Sequence, residues 1–381
     1  MRPFEYHAPT KLLFEREGRK KVGEICAQYG RRVMLVTGKG SMKSLGFLDE
    51  MVDICEQAGC EVVLFSGVEP NPSCTTVDKG ADLVRSEGIE VILALGGGST
   101  MDASKVIGLA GKYGGLAWEY MNKEREVPGP ILPLIAVTST SGTGSHVTQF
   151  AVILNPETFE KPGLGSEQLF PRVSVVDVDI LMHQPTMVTA YTGVDVLTHA
   201  MESLFSKFRS PFSEACAWEA IRLVGRHLRE AVSHGDDLEA RNQMSIADTY
   251  AGWAISNGGV TIGHALAHPV SGRFPEIAHG HALACVHVPF LSFMQGQCGE
   301  TCEQIALSIS PGERDASKAF QNLLTDIGVD PSLRRAGSEP IGEEMIASLV
   351  ENALSSMAVP IQRSEAEADK ATLARLYKEA L

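Results

Sequence analysis

From Arg31 to about Asp177 the chain repeats one pattern: a short aliphatic run, a turn of glycine or hydroxyl residues, then a longer amphipathic stretch. The runs at 33–37 (VMLVT), 61–65 (EVVLF), 90–95 (EVILAL) and 132–137 (LPLIAV) are five or six residues long, rich in Val and Ile, and apolar on both faces. Strands of that kind are buried on both sides, as in a parallel sheet covered by helices. Between them, 48–58, 76–87 and the segment after Ser99 carry apolar residues at helical spacing. Strand and helix in alternation predict a parallel α/β sheet with right-handed crossovers. Two further candidate strands, 150–154 and 173–176, flank the loop-like segment NPETFEKPGLG.

Beyond Asp177 the period changes. From Pro185 onward only helical spacing is legible, as in 192–207 and 211–230. The reading is therefore α/β plus all-α: residues 1–182 a parallel-sheet dinucleotide-binding domain, residues 183–381 a helical domain for metal and substrate. No Pro/Ser-rich linker or repeat separates the halves, so they are expected to pack together and share a cleft, a preferred place for ligands.

Charge narrows the partners. Asp plus Glu number 47 against 33 Lys plus Arg, a formal charge of −14, which leaves no footprint for phosphate backbones or anionic lipid. The start, MRPFEYHAPTKLLF, shows no signal-like apolar run, and no stretch is long and apolar enough for a membrane span. Eight scattered cysteines without a CxxC pair suit a reduced compartment and burial as small hydrophobes. The expectation is a cytoplasmic enzyme, a homo-oligomer such as a dimer, acting on a small molecule without nucleic acid or membrane.

Two turns carry chemistry. VILALGGGSTMDASK puts Gly96, Gly97, Gly98 and Ser99 between a predicted strand and helix, where free amides and close backbone approach suit a pyrophosphate. Asp102 and Lys105 follow on the first helical turns, where they could equally be surface residues. AVTSTSGTGSHVT repeats the design with Ser139, Thr140, Ser141, Gly142, Thr143, Gly144 and Ser145. The GxGxxG spacing is absent, so the expected dinucleotide site is of another design.

The histidines cluster as well, five of the eleven lying between His264 and His287. In TGVDVLTHAMES, Asp195, His199 and Glu202 fall on one helical face among apolar neighbours. IGHALAHPVSGRFPEIAHGHALA adds His264, His268, His279 and His281. Imidazoles buried in apolar segments are costly unless they bind something. Asp195, His199, His264 and His279 would supply one oxygen and three nitrogens, suited to Fe(II) or Zn(II); His281 is the alternative fourth ligand, and His287 reads as structural.

Taken in order, GGGSTMDASK, STSGTGS, VVDVDILMHQPTMVTAYTGVDVLTHAMES, SNGGVTIGHALAHPVSG and the HG pair at His279 resemble the successive signatures of the iron-containing (group III) alcohol dehydrogenases, over essentially the whole chain. The resemblance implies a dehydroquinate-synthase-like fold, with Asp195, His199, His264 and His279 on the metal and His268 beside the nicotinamide as proton relay. It also implies that Asn71, Gly97, Gly98, Ser99, Asp102, Ser139, Thr140, Thr143, Thr148, Lys161 and Val178 follow the cofactor. The sequence departs from the family pattern at His146 (usually Glu), Thr138 (usually Pro) and Val178 (usually Pro), and one extra residue separates His268 from His279.

The leading expectation is a metal-dependent oxidoreductase moving hydride between NAD(P)(H) and an alcohol/aldehyde pair, with Fe(II) the first choice of metal and Zn(II) the second. Gly38 stands where NAD-preferring relatives often carry Asp, and Lys39 and Ser41 follow it, so NADP(H) is slightly favoured over NAD(H). Competing readings are glycerol or glycerol-phosphate dehydrogenase, maleylacetate reductase, the cyclising dehydroquinate synthase and a catalytically silent nucleotide-binding sensor. Phe150, Trp253, Asn257, Arg273 and Phe274 are the expected pocket residues.

Overall fold

The computed structural model describes residues 3–337 and 340–381. Its strands are β1 (Lys11–Phe14), β2 (Arg32–Gly38), β3 (Glu61–Val68), β4 (Val91–Gly96), β5 (Leu134–Thr138), β6 (Phe150–Val152), β7 (Gly163–Gly165) and β8 (Val173–Val176). Six of them form one sheet in the order β1-β8-β5-β4-β2-β3, every neighbouring pair parallel.

The double-sided burial expected of the apolar runs is visible in β2, β4 and β5. Met34, Val36, Ile92, Ala94, Leu134 and Ala136 pack on one side against the helices Cys74–Glu87 and Gly98–Tyr113. Val33, Leu35, Val91, Leu93, Ile135 and Val137 pack on the other side with Phe47–Gln57. Each of the Val, Leu, Ile and Met side chains contributes roughly 1.5–3 kcal/mol by leaving water.

Three expectations change. The run at 61–65 is not buried on both faces: β3 is the sheet edge and Leu64 is 47% exposed. The opposite edge is β1, only four residues long and too short to show a period. The candidate strands 150–154 and 173–176 part company, because β8 inserts between β1 and β5, while β6 pairs antiparallel with β7 inside the supposed loop. Glycines at both ends of β7 disguise it in sequence.

Past Val176 the described residues form helices, with one isolated bridge between Ser206 and Ser364. Helix Thr186–Leu204 starts beside Pro185, Pro211–Ser233 is capped by Ser210 with Pro211 at its first position, and Leu238–Gly258 is capped by Asp237. Val194, Leu197, Leu228, Leu283 and Phe290 belong to their common core. No helix among the described residues is long and apolar enough to cross a membrane. All eight cysteines are unpaired and six are buried.

The register of β4 and β5 positions the site. Gly96 pairs with Thr138, and the Ser139 amide donates to the Gly96 carbonyl (2.9 Å), so both glycine and hydroxyl turns leave the sheet side by side. The second turn is then fastened to helix Leu238–Gly258. Ser141 Oγ lies 3.1 Å from Ser245 Oγ, the Gly144 amide donates to Asp248 Oδ1 (2.8 Å), and His146 Nε2 lies 3.0 Å from Thr249 Oγ1. Gly144 has φ +63°, and a Cβ there would stand 2.5 Å from the Gly252 Cα, so both conformation and contact require glycine.

Candidate active site

A cavity of about 850 Å³ opens between the two turns and the helical half. One wall carries Asn71, Gly98, Ser99, Asp102, Thr143 and Thr148, and the floor carries Lys161, Asp195, His199, His264, His268 and His279. The helical half supplies a further wall through Phe208, Ile255 and the 355–363 segment.

Other expected cofactor positions do not line this cavity. Gly97 caps helix Gly98–Tyr113, and a Cβ on it would meet Thr140 Oγ1 at 2.9 Å, so Gly97 and Thr140 hold the turns together. Ser139 spends its amide on Gly96, and Val178 is buried at the start of a short helix after β8. Gly38, Lys39 and Ser41 sit at the end of β2, outside the cavity, with Lys39 and Ser41 exposed. Phe150 and Asn257 reach the cavity as expected, whereas Trp253, Arg273 and Phe274 do not. Arg273 instead stacks over Phe159 and Phe274.

Asp102 and Lys105 are not surface residues. Asp102 accepts from Ser145 Oγ (2.6 Å) and the Val152 amide (2.9 Å). Lys105, fully buried, donates to Ser145 Oγ (2.8 Å) and the Phe150 carbonyl (2.6 Å), and burial pulls its ammonium down to about 8 against the pull of Asp102. This network sets the second turn against the first helix. His146, replacing the family's usual Glu, faces away from the cavity, with Nδ1 3.6 Å from Asp248 Oδ2.

The donor atoms of Asp195, His199 and His264 lie within 4.8 Å of one another, and His268 and His279 line the same cavity outside that trio; three helices supply these residues. Thr186–Leu204 presents Asp195 and His199 one turn apart, Ile262–Arg273 presents His264 and His268, and His279 opens His279–Gln295. His199 Nε2 and His264 Nε2 each lie 3.5 Å from Asp195 Oδ1, too far for a hydrogen bond. Asp195 Oδ1 and His264 Nε2 are buried without a hydrogen-bond partner. Donor atoms bound at about 2.1 Å in tetrahedral geometry stand about 3.4 Å apart, so this spacing fits a first-row divalent ion. Unpaired buried polar atoms are otherwise costly, and the donor set suits the group.

Three of the rings are held neutral and ready to bind a cation, whereas, against burial, the Glu202 and Asp195 carboxylates raise His264 to about 9, so that ring must release a proton on ligation. Burial pulls His199 down to about 4, and burial with the nearby Lys161 holds His268 and His279 well below the ordinary imidazole range, leaving neutral rings with a lone pair. Burial also lowers Lys161 itself to about 8, against the pull of Asp195 and Asp102. His268 Nδ1 bonds the Lys161 carbonyl (2.8 Å), which can only accept, so Nδ1 carries the hydrogen and Nε2 is free. His279 Nδ1 bonds Ser271 Oγ (3.2 Å). His281, the alternative ligand, lies elsewhere: its Nε2 bonds the Asp330 carbonyl (2.9 Å) and its ring stacks on Tyr191.

Glu202, marked in sequence only by its helical face, has a distinct role. Its Oε1 accepts from His264 Nδ1 (2.5 Å), the His264 amide (3.0 Å) and His287 Nε2 (2.9 Å), and its Oε2 from the Thr261 amide (2.6 Å) and hydroxyl (3.0 Å). Burial opposes the charge, but His264 and His287 hold the carboxyl well below its ordinary range. These groups bond one another directly, which leaves no room for a second ion among them. The contact fixes the His264 tautomer and aims Nε2 at Asp195. Asp248 and Ser271 were not foreseen either; each is one of several polar residues on its helix, and only packing reveals its partner.

A glycine-rich sheet edge and a buried carboxylate–imidazole cluster opening into one cavity define a metal-assisted, nicotinamide-linked oxidoreductase. Residues 9–178 match the family described as iron-containing alcohol dehydrogenase, and residues 189–381 match its C-terminal domain, so the chain belongs to that family. It is an oxidoreductase of the alcohol dehydrogenase type. The 1,3-propanediol dehydrogenase of Klebsiella pneumoniae is 34% identical over 88% of this chain and 89% of its own length. The probable alcohol dehydrogenase EutG of Salmonella typhimurium is 36% identical over 65% of this chain, a match that spans 63% of that protein. Among solved structures, an archaeal halo-thermophilic alcohol dehydrogenase from a Red Sea brine pool has a TM-score of 0.96 at 39% identity, covering 100% of both chains. The NADH-dependent butanol dehydrogenase A of Thermotoga maritima has a TM-score of 0.91 at 29% identity, covering 100% of this chain and 99% of its own.

Proposed function

We propose that this chain interconverts a primary alcohol and its aldehyde, with Asp195, His199, His264 and His279 holding one divalent metal, Fe(II) first and Zn(II) second. The observation that carries the reading is the buried Asp195 Oδ1 and His264 Nε2, unpartnered and lining the cavity that the glycine turn also lines. When bound, the metal supplies Lewis-acid polarisation of the substrate oxygen, and the nicotinamide supplies or accepts hydride. The protein's residues do the rest. Gly98 and Ser99 offer backbone amides to the pyrophosphate, with Thr143 and Thr148 beside them. His268 Nε2, free and neutral, takes up or returns the proton that accompanies hydride transfer.

NADP(H) is the preferred cofactor in this reading. Gly38 ends β2 with no carboxylate to repel a 2′-phosphate, and the exposed Lys39 and Ser41 stand next to it. The protein is read as a cytoplasmic homodimer, which light scattering tests. The site assignment is tested by metal content and aldehyde reduction in three variants. His264→Ala and His279→Ala should lose metal and turnover, while His281→Ala should keep both. Metal retained in His279→Ala and lost in His281→Ala would overturn the ligand set.

A further inference from the structure

The helical wall of the cavity carries a cation that no carboxylate among the described residues pairs. Arg363 lines the cavity, its Nε is buried without a hydrogen-bond partner, and no carboxylate among the described residues pairs with its guanidinium. Two other part-buried arginines show the contrast: Arg209 bonds Glu214 and Glu365, and Arg19 bonds Glu50 and Asp177. Arg363 is half-buried, and its Nε, withdrawn from water without a partner, forgoes about 1–3 kcal/mol, so its position needs a reason.

The local backbone makes room for it. Gly259 has φ +79°, and a Cβ there would stand 1.9 Å from an Arg363 terminal nitrogen, so only glycine lets the guanidinium lie where it does. The other side of the group lies 5.7 Å from the centre of the Phe208 ring, which is itself on the cavity wall. Gly259 leaves space for, and Phe208 lies beside, a planar fork of N–H donors, the arrangement that matches a carboxylate. The pyrophosphate cradle lies on the other domain, at Gly98 and Ser99, so Arg363 faces the part of the cavity walled by the helical half.

We propose that Arg363 is a specificity-determining residue that receives a carboxylate at the far end of the substrate, so that the preferred substrates are ω-oxo acids and their ω-hydroxy counterparts. This rests on the alcohol–aldehyde reading above and narrows its substrate class. The hydride transfer is unchanged; the carboxylate only anchors the molecule.

The test compares the semialdehydes of malonate, succinate, glutarate and adipate with straight-chain aldehydes of equal length, in the wild type, Arg363→Leu and Arg363→Lys. One of the semialdehydes should exceed its neutral counterpart in kcat/KM by about ten- to a hundredfold, the gain from one charge-assisted contact. Arg363→Leu should abolish that advantage while neutral aldehydes and the cofactor KM stay within about twofold, and Arg363→Lys should restore part of it. Equal loss on charged and neutral substrates would make Arg363 structural, and a raised cofactor KM would assign it to the cofactor; either overturns the proposal. Calorimetry with succinate, glutarate and adipate gives a second readout. Binding by the wild type that disappears in Arg363→Leu supports the anchor, and equal heats refute it. If neither aldehyde class is turned over, the alcohol–aldehyde reading fails and calorimetry alone decides the anchor.

Discussion

Replacing Glu202 by Gln changes no shape and removes one charge, and the geometry sets the cost. Each carboxylate oxygen faces donors only, apart from the Thr261 hydroxyl, which can turn to accept. The amide nitrogen must take one of the two oxygen positions. At Oε1 it would oppose both N–H groups of His264 and face His287; at Oε2 it opposes the Thr261 amide and, more distantly at 3.3 Å, the His264 amide, which keeps its shorter bond to Oε1, so that orientation wins. One buried N–H is then left unmet, at about 1–3 kcal/mol, and the three bonds to Oε1 lose their charge assistance, at about 1 kcal/mol each. The expected loss of stability is about 4–6 kcal/mol, measured by urea unfolding with chelator present. Because His264 also loses the group that fixes its tautomer, metal affinity should fall about 10–100-fold by calorimetric titration. Unchanged stability would refute the hydrogen-bond accounting; lost stability with unchanged metal affinity would reduce Glu202 to a structural residue.

Three further outcomes are expected. Gly98→Ala puts a Cβ 2.3 Å from Thr143 Cγ2, forcing the two turns apart; cofactor affinity should drop about tenfold or more, and a folded variant that binds cofactor normally would make the glycine a mere turn residue. Gly38→Asp is sterically open, since a Cβ there meets only the Val68 carbonyl at 3.6 Å; it should cut kcat/KM for NADPH and spare NADH, and the opposite result, or a strong NADH preference in the wild type, refutes the phosphate reading. Burial raises Asp248 from 3.8 to about 8, so between those values the folded state holds a proton that the unfolded state has released, and stability should decline as pH rises through that window. Asp248→Asn mimics the protonated acid and should flatten the decline; parallel pH profiles for variant and wild type would show that Asp248 is not the group responsible.

The alternation of apolar runs with amphipathic helices fixes a layered α/β half by itself, because a strand buried on both faces has only one way to satisfy its side chains and backbone together. Local spacing likewise placed Asp195 and His199 on one helical face, since one helical turn decides that without help. The ends of the sheet were not legible: whether EVVLF is central or an edge depends on which strand lies beside it, and β7 owes its strand character to β6 rather than to its own glycines.

The choice between His279 and His281 shows the same division. Two residues apart at the start of one helix, they are separated in sequence only by the glycine that follows His279. Packing turns His281 onto Tyr191 and the Asp330 carbonyl and leaves His279 facing the cavity. Asp248 beneath the second turn, Glu202 behind His264 and Arg363 against Gly259 join residues 104, 62 and 104 positions apart. Periodicity reports only which neighbours along the chain share a face; contacts across such separations exist only once helices distant in the chain have packed, and for Asp248 only once the two halves have met, because the free energy of a buried charge depends on what surrounds it in space.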